Sequence, residues 1–364
     1  MAAAPDSTQL TAWKKFSRKR TALLGLIIVI FFALAAVFCY WLAPDNSAFG
    51  NNQVVEMQAQ QPGHQQLFVV SGEDEQTGYF SLLAFGKRQP ALQIPIQSYQ
   101  INGDNLMVHR YVDEDTSVVE NLSIREITAG RPETLQQHLV YRTYLLGTDM
   151  LGRDLLSRLL IGARVSLAVG IVALLVALMV GVVLGGWAGY YGGKADAVIL
   201  WLISVSWSIP TVLMVFALTI ALGKGLLQVF VAVGLTMWVN VARLVRGQFK
   251  QIREMDYVQA ARLMGYSDKR VIFKHMLPNI LGPLLVTSVS ILASAIIIEA
   301  GLSFLGLGIQ PPQPSWGLMV KENYHYLITQ KPLLAIIPGV AIMTLVLAFN
   351  WIGNGLRDAL DVKE

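Results

Sequence analysis

The sequence predicts an all-α polytopic membrane protein with six transmembrane helices and a small β-rich extracytoplasmic insertion between the first and second spans. Of its 364 residues, 54% are hydrophobic and only 14% are charged, against about 25% charged in a soluble domain. Apolar runs recur along the chain at the length of about 20 residues that a bilayer crossing takes. The stretch 44–140 interrupts them with polar, Gln-rich sequence. The net charge of +4 is modest, and its meaning lies in where the charges fall. Basic and aromatic residues are not interleaved as in nucleic-acid readers, so that partner class is excluded. The single cysteine, Cys39, excludes an intrachain disulfide.

Residues 1–20 form a polar segment ending in the basic cluster Lys14, Lys15, Arg18, Lys19, Arg20. The apolar run 21–43 follows. A cleaved signal peptide needs a core of only about 7–15 residues and a small-residue cleavage site. This run is longer, and Tyr40-Trp41 reads as an interfacial aromatic belt. It is the first span, with the N-terminus inside.

The insertion, 44–140, carries short runs of alternating or β-branched character: Gln66–Val70, Tyr79–Phe85, Leu92–Ile101, Leu106–Val112 and Ser117–Ile127. Pairs such as Pro62-Gly63 and Asn102-Gly103 punctuate them, the pattern of short strands and turns. The bland reading of this domain is a spacer or docking surface. Residues 141–164 place Leu151, Leu155, Leu156, Leu159 and Leu160 on one stripe with Arg153, Asp154 and Arg158 off it, predicting an amphipathic interfacial helix.

The transmembrane core, 165–356, then supplies five more spans: about 165–188, 197–222, 226–242, 280–302 and 333–356. Gly170, Gly181, Gly185, Gly186 and Gly189 allow close helix contact in the first of these. Pro210 breaks the ladder of the next. A Gly/Pro/aromatic outer segment covers 303–332, and 357–364 is a polar tail. Six spans put both termini on the cytoplasmic side, and the short inner segments then hold most of the Lys and Arg.

The loop 243–279 is the most basic part of the chain outside the N-terminus. Its pattern is two short helices and a turn. Tyr257–Met264 is a run of helix formers. Gly265 sits where a helix end needs a left-handed residue. Ser267 and Asp268 suit the start of the next helix, which places Val271, Ile272, His275 and Met276 on one face before Pro278 ends it. A generic basic loop lying on anionic lipid is the bland alternative.

No stretch fits the G-x-x-x-x-G-K-[S/T] phosphate loop, so nothing in this chain is expected to bind ATP, and no catalytic or metal-ligating residues are assigned. No array of intramembrane acids marks a proton relay, and no Arg ladder marks a voltage sensor. Glu299 is the clear acid in an apolar run. It lies roughly 27 Å along a helix from Leu281, at 1.5 Å per residue. With Ser303 and Trp316 it is a candidate for the translocation path or outer gate, against the alternative of a structural bond to a neighbouring helix. Asn350 and Asn354 read as interhelical hydrogen-bonding groups.

The pattern Gln259-Ala260-Ala261, three residues, Gly265, nine residues, His275-Met276-Leu277-Pro278 resembles the EAA loop of ABC-importer permeases. Gln259 stands where that family most often has Glu, and His275 where it has Ile. Further stretches are similar to the C-type permease subunit of dipeptide/oligopeptide/nickel importers. They include Leu146-Gly147-Thr148-Asp149, Gly152-Arg153-Asp154, Gly162-Ala163-Arg164-Val165-Ser166-Leu167, Ala188-Gly189-Tyr190-Tyr191-Gly192-Gly193, Glu299-Ala300-Gly301-Leu302-Ser303-Phe304 and Pro314-Ser315-Trp316-Gly317. The insertion is longer than this family usually carries, and Asn354 replaces a more frequent Asp.

The resemblance implies the type I ABC importer permease fold in a bacterial inner membrane. It implies a pathway shared with a second, homologous permease subunit, substrate delivered by a periplasmic binding protein, and one or two separate ATPase subunits that bind ATP and Mg. Those ATPases would push on the coupling loop through Gln259, Ala260, Ala261, Gly265, His275, Leu277 and Pro278. Di- and oligopeptides are the implied cargo. Nickel chelates, oligosaccharides or peptide antibiotics stay open as alternatives within the class, and a membrane receptor or assembly factor using the 44–140 domain is the rival outside it.

Overall fold

A helix over Arg20–Val37 forms where the sequence places the first span, because an apolar run of this length can satisfy its backbone hydrogen bonds internally. The computed structural model describes residues 7–71, 78–87, 92–113, 116–223, 225–328 and 331–360. Residues 1–6 and 361–364 of the predicted termini lie outside the described residues. In chain order the principal helices are α1 Ser7–Arg18, α2 Arg20–Val37, α3 Tyr79–Phe85, α4 Leu155–Tyr191, α5 Gly193–Ser208, α6 Thr211–Leu222, α7 Leu226–Arg253, α8 Asp256–Leu263, α9 Leu281–Phe304, α10 Trp316–Asn323 and α11 Leu333–Leu360. By length and composition five helical segments of the described residues can cross a membrane, or six if the bent pair α5 and α6 is one span. That pair turns by 95° at Ile209-Pro210. Proline removes a backbone donor and clashes with the preceding turn.

The helices and strands gather into two units. One contains the described residues up to Phe32, Ser166–Gln310 and those from Gly339 on. Its core is built on α7. Val229, Val233, Met237, Val241, Val245 and Phe249 are buried there with Ala173 and Ala177 of α4 and Ile291 and Ala295 of α9. The stripe Gly181, Gly185, Gly189 faces α7: a methyl group at Gly185 would overlap the Ala242 backbone, and one at Gly189 the Phe249 side chain. Small residues let two backbones approach without side chains between them.

The second unit contains Ala33–Val165 and Pro311–Pro338. It holds a five-stranded antiparallel sheet of order β4-β3-β2-β1-β5, with β1 His64–Ser71, β2 Leu92–Asn102, β3 Asn105–Tyr111, β4 Ser117–Ser123 and β5 Leu139–Tyr144. Alternation along β1 sorts its side chains. Leu67 and Val69 join Ile94, Ile96, Leu106 and Val108 on one face. Phe68 joins Val54, Met57, Tyr111 and Tyr144 on the other.

Several local expectations are corrected. Tyr79–Phe85 is a helix, not a strand. A seven-residue apolar run has no periodicity to decide the matter, and Gly86, at φ +76°, closes its last turn. The run Ser117–Ile127 is strand only to Ser123, after which Ile124–Ile127 makes one helical turn that buries both isoleucines. The amphipathic helix expected over 141–164 is helical only from Leu155. Before it lie β5 and a turn containing Gly147 and Gly152, both with positive φ. The fourth span continues as helix through the first part of the basic loop to Arg253. Trp316–Asn323 forms a helix inside the expected outer segment, and the last helix runs to Leu360, into the expected tail.

Pro278 does not end a helix. A widened turn, Val271–Met276, and a tight one, Leu277–Ile280, carry the chain straight into α9. The missing proline N–H falls where the hydrogen-bond spacing changes, so no regular rung is lost.

Candidate functional site

The loop 243–279 is built on the end of α7. Arg246 makes a two-pronged ion pair with Asp196 at the start of α5, Nη2 to Oδ2 at 2.9 Å with Nε on Oδ1, and Lys250 Nζ reaches Asp196 Oδ2 at 3.2 Å. Arg253 donates to the Tyr190 carbonyl at 3.2 Å. These contacts fix the direction in which the chain leaves α7.

Helix α8 then runs to a turn whose geometry the sequence anticipates. Tyr266 N donates to Ala261 O at 3.2 Å and Gly265 N to Arg262 O at 2.9 Å, with Gly265 at φ +76°. This pair of bonds is the Schellman closure, in which the residue past the helix end adopts the left-handed conformation that glycine tolerates best. Val258 and Ala261 of α8 are buried against Val271 and Met276, so the two arms of the loop share one small core. Ala260 and Gln259 face outward, and Gln259 Nε2 donates back to Glu254 O at 3.1 Å. Leu277 packs on the same core, and Pro278 is exposed.

His275 stacks on Tyr266, with 6.1 Å between ring centroids and planes 17° apart. Its carbonyl accepts from Asn279 Nδ2 at 2.6 Å, and that amide also donates to Tyr257 Oη at 3.1 Å. Ser267 occupies the expected cap position without a side-chain cap bond. Asp268 instead accepts the Tyr190 hydroxyl at 2.6 Å, and the Arg262 guanidinium lies 4.5 Å from the centre of the Tyr190 ring. Tyr190 therefore touches both arms. Sequence reasoning singled out neither Tyr190 nor Asp196 as an anchor. The only signal was an aromatic and an acid flanking a glycine turn at the end of a span.

With the loop so braced, large apolar side chains stand exposed on it among the basic ones. Leu263 is 89% exposed, Phe273 66% and Met264 65%, an arrangement that costs free energy in water unless something covers it.

The other candidates lie elsewhere. Glu299 is fully buried. Its Oε1 accepts the Ser303 hydroxyl at 2.7 Å, and Ser303 Oγ in turn accepts Ile309 N at 3.1 Å. Trp316, in the second unit, is fully buried and donates its indole N–H to Leu159 O at 2.9 Å. The same unit contains an ion-pair cluster that the sequence did not reveal. Arg153 Nε donates to Asp149 Oδ2 at 2.7 Å, and Arg153 Nη2 and Arg158 Nη2 both reach Glu322 Oε2, at 2.9 and 3.0 Å. Beside it, Asp154 caps α4 by accepting Ser157 N at 2.8 Å. Burial pushes its carboxyl above the usual range, against the lowering effect of the Ser157 bonds. Among the described residues no group of three or more His, Cys, Asp or Glu is placed to hold a metal ion.

A loop of this geometry between apolar spans agrees with what comparison finds. The family model of the binding-protein-dependent transport system inner membrane component matches residues 181–362. The chain belongs to that family. A second model, the N-terminal TM domain of oligopeptide transport permease C, matches residues 9–62 of this permease. Strands β1 to β5 fall between the two. The permease is 40% identical over 222 residues to the oligopeptide transport system permease protein OppC of Bacillus subtilis, covering 61% of this chain and 72% of that one. It is 44% identical over 218 residues to the glutathione transport system permease protein GsiD of Pectobacterium atrosepticum, covering 60% and 72%. It is 42% identical over 217 residues to the dipeptide transport system permease protein DppC of Bacillus subtilis, covering 60% and 68%. Among solved structures, a chain of the inward-facing MetNI methionine ABC transporter matches at TM-score 0.46 and 18% identity, over 57% of this chain and 96% of that one.

Proposed function

We propose that this permease is one of a pair of homologous membrane subunits of an ABC importer for di- and oligopeptides. A binding protein outside the membrane delivers the peptide, and both termini of the chain lie in the cytoplasm. Separate ATPase subunits bind ATP and Mg and dock on the loop 243–279. The observation that carries this reading is the braced loop itself. It presents Leu263, Met264 and Phe273 outward from arms locked together by the Gly265 turn and by Tyr190.

A lever must transmit force without yielding. Gln259 ties α8 back to the end of α7, and Ala261 packs the two arms closely. His275, Leu277 and Pro278 lie on the path into α9, so a push on the loop moves that span. ATP drives the switch only if the ATPases bind the two permease conformations with different free energies. The peptide assignment rests on the names of the relatives and on the motifs shared with them. The full burial of Glu299, Ser303 and Trp316 favours bracing of the outer end over contact with cargo.

Affinity purification of the tagged chain in mild detergent tests the reading. Recovery of a second permease and one or two ATPase polypeptides, with ATP hydrolysis stimulated by a binding protein carrying a peptide, is the expected result. A chain that purifies alone and free of ATPase activity overturns it. Stimulation only by a binding protein loaded with a nickel chelate or a sugar overturns the peptide assignment and leaves the importer.

A further inference from the structure

The helix α3, Tyr79–Phe85, belongs to the insertion, yet its surface does not suit water. Tyr79 is 80% exposed, Phe80 91% and Phe85 74%. Only Leu82 and Leu83 are partly buried. Three outward aromatics on two turns of helix are an unusual load for a domain whose strands otherwise sort apolar side chains inward.

The depth of α3 relative to the bilayer is fixed by its contacts. Arg164 donates to the last carbonyls of two helices at once: Nε to Ala36 O at 3.0 Å and Nη2 to Val37 O at 3.2 Å on α2, Nη2 to Leu83 O at 2.7 Å and Nη1 to Ala84 O at 3.2 Å on α3. One guanidinium nitrogen thus bridges the C-terminal ends of the span and of α3. Helix α2 has 18 residues, about 27 Å at 1.5 Å per residue, so its last carbonyls sit at the edge of a hydrocarbon core of about 30 Å. The long apolar stem of an arginine lets its guanidinium lie at that level.

Further contacts hold α3 there. Gly86, at φ +76°, lies so close to the Tyr40 ring and Asn46 O that a methyl group would overlap both. Lys87 N donates to Asn46 O at 2.8 Å, and Ala48 N to Lys87 O at 3.0 Å. The helical turn Cys39–Leu42 packs on α3, and the end of the first span around it exposes Leu34, Phe38, Trp41 and Leu42.

We propose that α3 is a second, monotopic membrane anchor. It lies in the leaflet at the C-terminal end of α2, with Tyr79, Phe80 and Phe85 in lipid at the boundary between headgroups and acyl chains. Aromatic side chains favour that boundary, and a short helix with its apolar residues in the interface binds through the area it buries. The anchor holds the insertion against the membrane surface and limits its swing about the end of the span. The inference needs only that α2 spans the membrane, so it stands or falls separately from the peptide assignment.

The test is collisional quenching in the assembled transporter. The complex containing this chain is reconstituted in phosphatidylcholine nanodiscs, with Cys39→Ala to remove the native thiol. A bimane is attached through Phe80→Cys or, as a control on an exposed strand, through Asn121→Cys. The expected result is at least twofold stronger quenching at position 80 than at 121 by lipids brominated on their acyl chains, and the reverse order with aqueous iodide. Equal iodide quenching at both positions overturns the proposal, because α3 is then in water. Protection at 80 from both quenchers also overturns it and points to a protein partner covering the helix. Ala84→Cys serves as a second probe of the exposed side should labelling at 80 disturb folding.

Discussion

Tyr190, at the end of α4, donates its hydroxyl to Asp268 Oδ1 at 2.6 Å, across 78 residues of sequence. This bond and the Arg262 guanidinium over the same ring pin both arms of the loop 243–279 to the end of a span. A hydrogen bond to a charged group contributes about 1.5–3 kcal/mol. The Tyr190→Phe variant keeps the ring and loses only the bond. It should open the loop roughly tenfold more often, since about 1.4 kcal/mol is a factor of ten. Trypsin cleavage at Arg262, Lys269 and Arg270 should speed up accordingly. An unchanged rate would show that the bond does not hold the loop.

Gly265 has open space where a side chain would begin, so the cost of replacing it is backbone strain alone. A left-handed L-residue costs about 1–2 kcal/mol, and asparagine tolerates that region better than most. Coupling, measured as peptide transported per ATP hydrolysed, should therefore fall in the order Gly, Asn, Ala, Val at position 265. Equal coupling for Gly265→Asn and Gly265→Val would sink the argument from φ.

Leu263 and Phe273 are exposed and stand outside the hydrophobic core that joins the loop's two arms. The Leu263→Asp and Phe273→Asp variants should leave the melting temperature of the purified chain within a degree or two, since exposed substitutions usually cost under about 0.5 kcal/mol. The same variants should lose most of the co-purifying ATPase. Normal ATPase recovery with both changes present would remove this face from the docking surface.

Glu322 balances two buried arginines, Arg153 and Arg158, through one carboxylate oxygen. Removing one partner of a buried pair typically costs about 3–5 kcal/mol because the remaining charge is stranded. Glu322→Gln should therefore lower the melting temperature markedly. Glu322→Asp should recover part of it by keeping the charge at a longer reach. A Glu322→Gln protein that melts like the parent would mean that Asp149 alone satisfies both arginines.

The sequence by itself determined what depends on neighbours along the chain. The apolar runs are long enough to name the spans, and the β-type runs locate β1 to β4. Gly265 announces its turn because the left-handed conformation is a property of one residue. The kink at Pro210 follows from one missing N–H. The tertiary structure decided everything that joins distant residues. Asp196 and Arg246 lie 50 positions apart and Arg153 and Glu322 169, and no local pattern pairs them. It also decided the cases where local signals are silent. Tyr79–Phe85 is too short and too uniformly apolar to declare helix or strand until Arg164 and Tyr40 give its end a place. Leu151–Leu160 reads as one stripe in the sequence, but the positive-φ Gly152 sets Leu151 apart from the helix that starts at Leu155. Charge complementarity and close packing act through space, so the anchors of the loop became visible only when the spans were brought together.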